Sequence, residues 1–330
     1  PAPYLKIFAT IITQYWDITQ FQALIIGISI SIIYAVRGGF SSIVRTDKIQ
    51  FILMFVGFGI ILGNLYFQYG GLKFIQENAP PHLLEIPGNF NWKTIFVWGF
   101  IALITFIDPG FFQRSFSGVH EKTVRKGICI SILFWILFDF MTVTTGIYAA
   151  TILPEVISNP YLDLAKLILS PLMHAVFIVS LLAIVMSTID SFTFISAYTI
   201  GMDLPPIIGK KEYDPVKNTK FSLLFISIIA IILSLFFKTA IDMWYILGSI
   251  AVPVLLIPIF AGIYDIHLKW IWIQFVFPLF LTLIWFINGF NNVDEWGFPQ
   301  YLEGLDPMYP GLLLSVILSF FLKEKHTNGK

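Results

Sequence analysis

Apolar runs recur along this chain at a length and frequency that no water-soluble core could absorb. A helix needs about 20 apolar residues to cross about 30 Å of hydrocarbon. Runs of that kind fall near residues 20–36, 49–68, 92–110, 127–150, 172–200, 220–237, 242–264, 268–288 and 308–322, and residues 3–15 read as the end of a truncated helix. Hydrophobic residues make up 57% of the 330 and charged ones 12%, against roughly 45–50% and about 25% in soluble domains. So much apolar surface calls for lipid. The pattern predicts an all-α polytopic membrane protein with nine complete transmembrane helices, organised as one transmembrane domain over residues 1–330.

If the loops alternate sides, one side collects Arg37, Arg45, Lys48, Arg114, Lys122, Arg125, Lys126, Lys210, Lys211, Lys217, Lys220, Lys269, Lys323, Lys325 and Lys330. The other side holds Lys73, Lys93, Lys166 and Lys238. Excess Lys and Arg mark the cytoplasmic side of a membrane protein. The expectation is a multi-pass protein of the plasma (inner) membrane with a cytoplasmic C-terminal tail.

Twenty basic residues balance twenty acidic ones, which leaves no basic surface of the kind nucleic acid requires. The single cysteine, Cys129, excludes an intrachain disulfide and a Cys-based metal site. His82, His120, His267 and His326 fall in loops or tail and His174 opens a span, so no catalytic dyad emerges and no enzyme is expected. The start at Pro1 shows no basic region followed by an apolar one, hence no signal peptide. N-terminal helices of the same protein are expected to be missing.

An ionisable residue inside the bilayer costs several kcal/mol unless paired or hydrated, so each is a functional candidate. The richest stretch is Ile184 to Ser191, where Ser187, Thr188, Asp190 and Ser191 interrupt an apolar run. Spacings of three and four put Ser187, Asp190 and Ser191 on one helix face. Two hydroxyls and a carboxylate suit a small hard cation: Na⁺ by its chemistry, with H⁺ an option at the carboxylate. The alternative is polar glue between helices. In Tyr34 to Gln50, a Gly38-Gly39 break precedes Asp47, which stands as a cation ligand or as an acid at a helix start. Asp108 precedes Pro109 and Gly110, residues that end or bend a span and release backbone groups, as in the broken helices of transporters; the alternative is a plain helix end with Asp108 paired to Arg114. Asp139 sits 12 residues into a span starting at Gly127, about 18 Å along it, and needs an ion pair or a wet cavity.

In this order, Tyr34 to Gln50, Asp108 to Arg114 and Met186 to Ser191 resemble the sodium:solute symporter family. They are similar to its Tyr-Thr-x-x-Gly-Gly…Thr-Asp-x-x-Gln, Asp-Gln-x-x-x-Gln-Arg and Met-Ser-Ser/Thr patterns. The resemblance covers almost the whole chain and implies a leucine-transporter-like fold of two five-helix inverted repeats. Residues 1–68 would be the remainder of an incomplete first repeat, 92–264 the second, and 268–322 peripheral helices. It further implies one sodium site at Ser187, Thr188 and the carbonyl of Ile184, completed by the missing first helix, so that this chain alone should not transport. A second site in some members maps to Asp47, Ser187, Asp190 and Ser191, with Asp190 in place of a hydroxyl. Ile101, Ile104 and Trp135 stand where sugar-transporting members carry an Asn, an aromatic gate and a Lys, which disfavours a sugar. Trp135 and Asp139, one turn apart, are candidates to face a cationic or zwitterionic solute, with Asp108 the third solute-site candidate.

The function expected is therefore secondary active transport: sodium-coupled symport of a small organic solute across the lipid bilayer by alternating access. Proton-coupled symport and a transporter-like solute sensor are the alternatives.

Overall fold

The computed structural model describes residues 1–153, 159–210, 212–292 and 299–324, with Tyr34 described in its backbone alone. Of the basic-side residues, Lys211, Lys325 and Lys330 lie outside the described residues. The helices are α1 (Ala2–Tyr15), α2 (Gln20–Tyr69), α3 (Leu72–Asn78), α4 (Trp92–Ile101), α5 (Pro109–Phe116), α6 (Glu121–Ile152), α7 (Pro160–Ile168), α8 (Pro171–Tyr198), α9 (Leu204–Ile207), α10 (Pro215–Phe236), α11 (Ala240–Ile263), α12 (Ile271–Asn291) and α13 (Met308–Leu322). There is no β-strand among the described residues. Seven helical segments there are long and apolar enough to cross a membrane: Ala35–Tyr69, Trp92–Phe116, Glu121–Ile152, Pro171–Ile207, Pro215–Phe236, Ala240–Ile263 and Ile271–Asn291. Gln20–Ile33 and Met308–Leu322 are shorter apolar helices. The chain is an integral membrane protein, and its nine apolar runs all fall on helix.

The chain divides into two compact units. One comprises Pro1–Asn89 and Phe112–Ala240, the other Phe90–Phe111 and Ile241–Lys330.

In the first unit, α2 opens with a capping box in which Thr19 and Gln22 satisfy each other's backbone N–H groups, the arrangement that fixes where a helix starts. Its course breaks at Gly39, whose φ of 54° and ψ of −148° are not helical; a positive φ is open to glycine without steric penalty. Beyond that break α2 runs antiparallel to α8 and reaches, at its far end, the last residue of α7. Asp47 meets Ser187, Gly57 meets Ser180, Asn64 reaches Met173 Sδ at 3.6 Å, and Gln68 donates to the carbonyl of Ile168 at 3.1 Å. Without a water-driven hydrophobic effect in lipid, helices associate by close packing of small residues. Gly57 supplies that here: a Cβ at this position would collide with the Ser180 side chain. Ser180 turns its hydroxyl back to the carbonyl of Val176 at 2.8 Å, so it is satisfied within its own helix. On its other side α2 meets α6 through aromatic rings. Phe134 packs edge-on against Phe51 and Phe55, and Phe138 against Phe55 and Phe58, at centroid separations from 5.1 to 5.5 Å, a geometry that ring quadrupoles favour.

In the second unit, α11 carries Pro253 and Pro258 inside its length and α12 carries Pro278. Proline removes a backbone donor, so the carbonyls one turn earlier lose their usual partner. Gly311 of α13 lies against both Thr282 and Pro253, where a Cβ would not fit. Gln274 donates to the carbonyl and hydroxyl of Ser315 at 2.6 and 2.8 Å, tying α12 to α13. Gly248 makes room for Ile101, and Val97, Ile101, Ile107, Val252, Leu256 and Met308 form the unit's apolar core. Toward the end of α12, the loop over 299–307 is pinned by Tyr245, whose hydroxyl donates to Asp306 at 2.5 Å.

Candidate cation site

Side chains from three helices meet around one carboxylate, that of Asp47: Ser187 and Arg114 contact it, and Arg114 also reaches Ser191. Asp47 lies on the straight part of α2 beyond Gly39 and, by the register above, faces the middle of α8. Ser187 donates to its Oδ1 at 2.7 Å. Arg114, near the end of α5, reaches its Oδ2 at 3.2 Å and also donates to Ser191 Oγ at 2.7 Å. Ser187 and Ser191 are four apart on α8 and therefore one above the other. The result is a ring of oxygens closed by a guanidinium, with Asp47 accepting from one serine and the arginine bridging to the next.

Thr188 points to its own helix and donates to the carbonyl of Ile184 at 3.3 Å. Of the three groups that the resemblance implies for one sodium site, Thr188 and the Ile184 carbonyl are thus bonded to one another, one turn apart, while Ser187 donates to Asp47. Asp190 is fully buried on the same helix, where a charged carboxylate requires compensation. Asp47 is not a capping acid at a helix start: it is well inside α2, and Thr46 bonds back to the carbonyls of Ser42 and Ile43 at 3.3 and 2.9 Å.

The other candidates lie elsewhere. Asp108 caps α5, its Oδ1 accepting the backbone N–H of Gly110 at 2.6 Å, while α4 gives way to a 3-10 stretch over Ala102–Phe106. The helix break expected at Pro109 and Gly110 is present. Trp135 and Asp139 lie on an exposed stretch of α6, and the Asp139 carbonyl accepts the Thr142 hydroxyl at 3.1 Å. Ile101 is buried and Ile104 partly buried in the apolar core of the second unit.

What sequence reasoning missed is Arg114 as the partner of Asp47. The two are separated by 67 residues, and the local reading offered Asp108 as its pair instead. The one signal available was the Gln113-Arg114 dipeptide at a fixed distance after Asp108.

In electrostatic terms the Asp47 carboxylate already faces a cation, the Arg114 guanidinium. Arg114 is 41% exposed and Asp47 22%, so solvent screens the pair and it contributes about 1 kcal/mol or less.

A comparison with curated proteins found no match. The sodium:solute symporter family's sequence profile matches residues 8–269, a stretch that includes α2, α5, α6, α8 and every residue of the ring. The members of that family are transporters and not enzymes, and by this match the chain belongs to the sodium:solute symporter family.

Proposed function

We propose that the protein is a sodium-coupled symporter of a small organic solute, working by alternating access, with Na⁺ as the coupling ion and co-transported substrate. The observation that carries this reading is the oxygen ring around Asp47. A carboxylate and two serine hydroxyls are hard donors of the kind small hard cations select; Ser187 already bonds Asp47, and Arg114 bridges Asp47 to Ser191. In this reading Na⁺ takes the place of the Arg114 guanidinium at Asp47 and is held by Asp47, Ser187 and Ser191, with Asp190 adding negative charge beside them. The Ile184 carbonyl and the Thr188 hydroxyl form a neighbouring donor pair for a second ion.

Coupling requires that the ion bind one conformation better than the other. The ring offers a means, because its donors come from α2, α5 and α8, and any shift among these helices opens it. Asp139 supports a solute with positive charge. A carboxylate near mid-span must be met by protein, water or ligand, and Trp135 one turn away adds an aromatic face that attracts cations. Asp108 contributes through the helix break it caps. A sugar is disfavoured, since Ile101 and Ile104 offer a hydroxylated ligand no hydrogen bonds. Proton coupling is the second reading, favoured by one observation: Asp190, a carboxyl group able to carry a proton, is fully buried within the span of α8.

The test is uptake by proteoliposomes containing the full-length protein, with the N-terminal helices that the resemblance implies, screening radiolabelled solutes with an inward Na⁺ gradient, an inward H⁺ gradient or neither. Na⁺-driven uptake that falls at least about tenfold in Ser187→Ala, the scale of a lost ligand of about 1.4 kcal/mol, is expected. Uptake driven by H⁺ alone and abolished in Asp190→Asn would replace Na⁺ with the proton, and uptake indifferent to both gradients would remove the coupled reading.

A further inference from the structure

The segment that joins α8 to α10 forms a groove that the transport reading does not use. The helical rod from Pro171 to Ile207 has 37 residues, about 55 Å of helix against about 30 Å of hydrocarbon. Its last turns therefore stand at the level of the lipid headgroups. There the helix loosens into a π-helical turn over Thr199–Asp203, continues as α9 and ends in a two-bond cap. Lys210 N–H donates to the carbonyl of Pro205 at 3.0 Å and Gly209 N–H to that of Pro206 at 3.1 Å, with Gly209 at φ 82°. This closure, in which a left-handed glycine ends a helix, fixes the direction in which Lys210 leaves the chain.

α10 returns so closely that a Cβ on Gly201 would come within 2.5 Å of the Thr219 backbone. Tyr213 straps the same corner by donating to the carbonyl of Met202 at 3.1 Å. Between these two walls is a preformed groove of about 270 Å³. Lys210, Asn218 and Ser222 supply its polar lining, and Ile200, Leu204 and Phe221 its apolar lining.

We infer that this groove binds one anionic phospholipid, its phosphate held by Lys210 and Asn218 and an acyl chain laid along Leu204 and Phe221. Charge and polarity both match. None of the neighbouring acids, Asp203, Glu212 and Asp214, lines the groove, and Asp214 has Oδ1 engaged in capping α10 at Lys217 N–H, 3.0 Å away. Leu204 is 41% and Phe221 63% exposed, apolar surface that an acyl chain covers and water does not. Basic pockets between helices at the membrane boundary recognise anionic headgroups in just this way.

The experiment is native mass spectrometry of the full chain in neutral detergent with phosphatidylglycerol, phosphatidylcholine or inorganic phosphate. The wild type should retain phosphatidylglycerol in preference to phosphatidylcholine. Lys210→Gln should weaken that retention about fivefold, the worth of one Lys at an anionic surface, while Lys217→Gln, a Lys outside the groove, should leave it unchanged. Phe221→Ser should also weaken it, through the acyl chain. Equal losses in Lys210→Gln and Lys217→Gln would mean diffuse surface attraction and overturn the assignment. Displacement of the lipid by inorganic phosphate would identify a small-anion site and overturn it as well, as would no effect of Lys210→Gln.

Discussion

Arg114 is held to Asp47 by a contact of 3.2 Å and to Ser191 by one of 2.7 Å, so its side chain and a bound Na⁺ would compete for the same oxygens. Arg114→Gln removes the competing charge while keeping a donor for Ser191. If the exchange reading is right, the variant needs about fivefold less Na⁺ for half-maximal thermal stabilisation, corresponding to about 1 kcal/mol for a partly exposed pair. Melting curves across a Na⁺ series in detergent read this directly, and a variant needing more Na⁺ than wild type would assign Arg114 a supporting role instead. At this scale the sequence was informative in one direction only. Ser187, Ser191 and Asp47 were legible because a polar residue inside an apolar run has few reasons to be there. Arg114 was not legible as their partner, because pairings across 67 residues leave no local pattern, and the nearer Asp108 satisfied the same rule.

α2 and α8 meet through the Asp47–Ser187 bond and through close small-residue contact, Gly57 against Ser180. Gly57→Leu would force the helices apart there. Overpacking of this kind costs about 1–3 kcal/mol, and the separation should also open the Asp47–Ser187 bond, which is ten residues away on α2. Loss of Na⁺-dependent stabilisation together with a lower melting temperature is expected; a variant that melts early yet responds normally to Na⁺ would uncouple packing from the site.

A second element-level test concerns the outer loop over 299–307. Burial pushes the Tyr301 hydroxyl up to about 12 from the ordinary 10.0, with the Asp306 charge adding to the rise and the Tyr245 hydrogen bond opposing it. A raised tyrosine holds its proton more tightly when folded. The stability it contributes is thus full below pH 10 and is lost as the pH climbs from there through about 12. A tyrosinate absorbance titration should show a late component that Tyr301→Phe removes.

Over the whole molecule, the apolar runs carried most of what could be read in advance. Periods of about 20 apolar residues are set by bilayer thickness and need no tertiary information, so each run was found on helix. Boundaries were harder. The runs near 20–36 and 49–68 lie on either side of the non-helical Gly39, and the polar stretch that follows it, up to Lys48, is helical and leads straight into the second run. Glu121 to Lys126 likewise extend α6 ahead of its apolar part, supported by an Arg125–Glu121 pair at 2.6 Å, which adds a few tenths of a kcal/mol at the surface.

The antiparallel register of α2 and α8 has a mechanical meaning. Asp47 and Gln68 lie 21 residues apart on the part of α2 beyond Gly39, about 30 Å, and each holds a different helix: Asp47 accepts from Ser187 of α8, and Gln68 donates to the carbonyl of Ile168, the last residue of α7. If an ion at Asp47 shifts this stretch of α2, the shift would carry along about 30 Å of unbroken helix to the end of α7, where Gln68 holds Ile168.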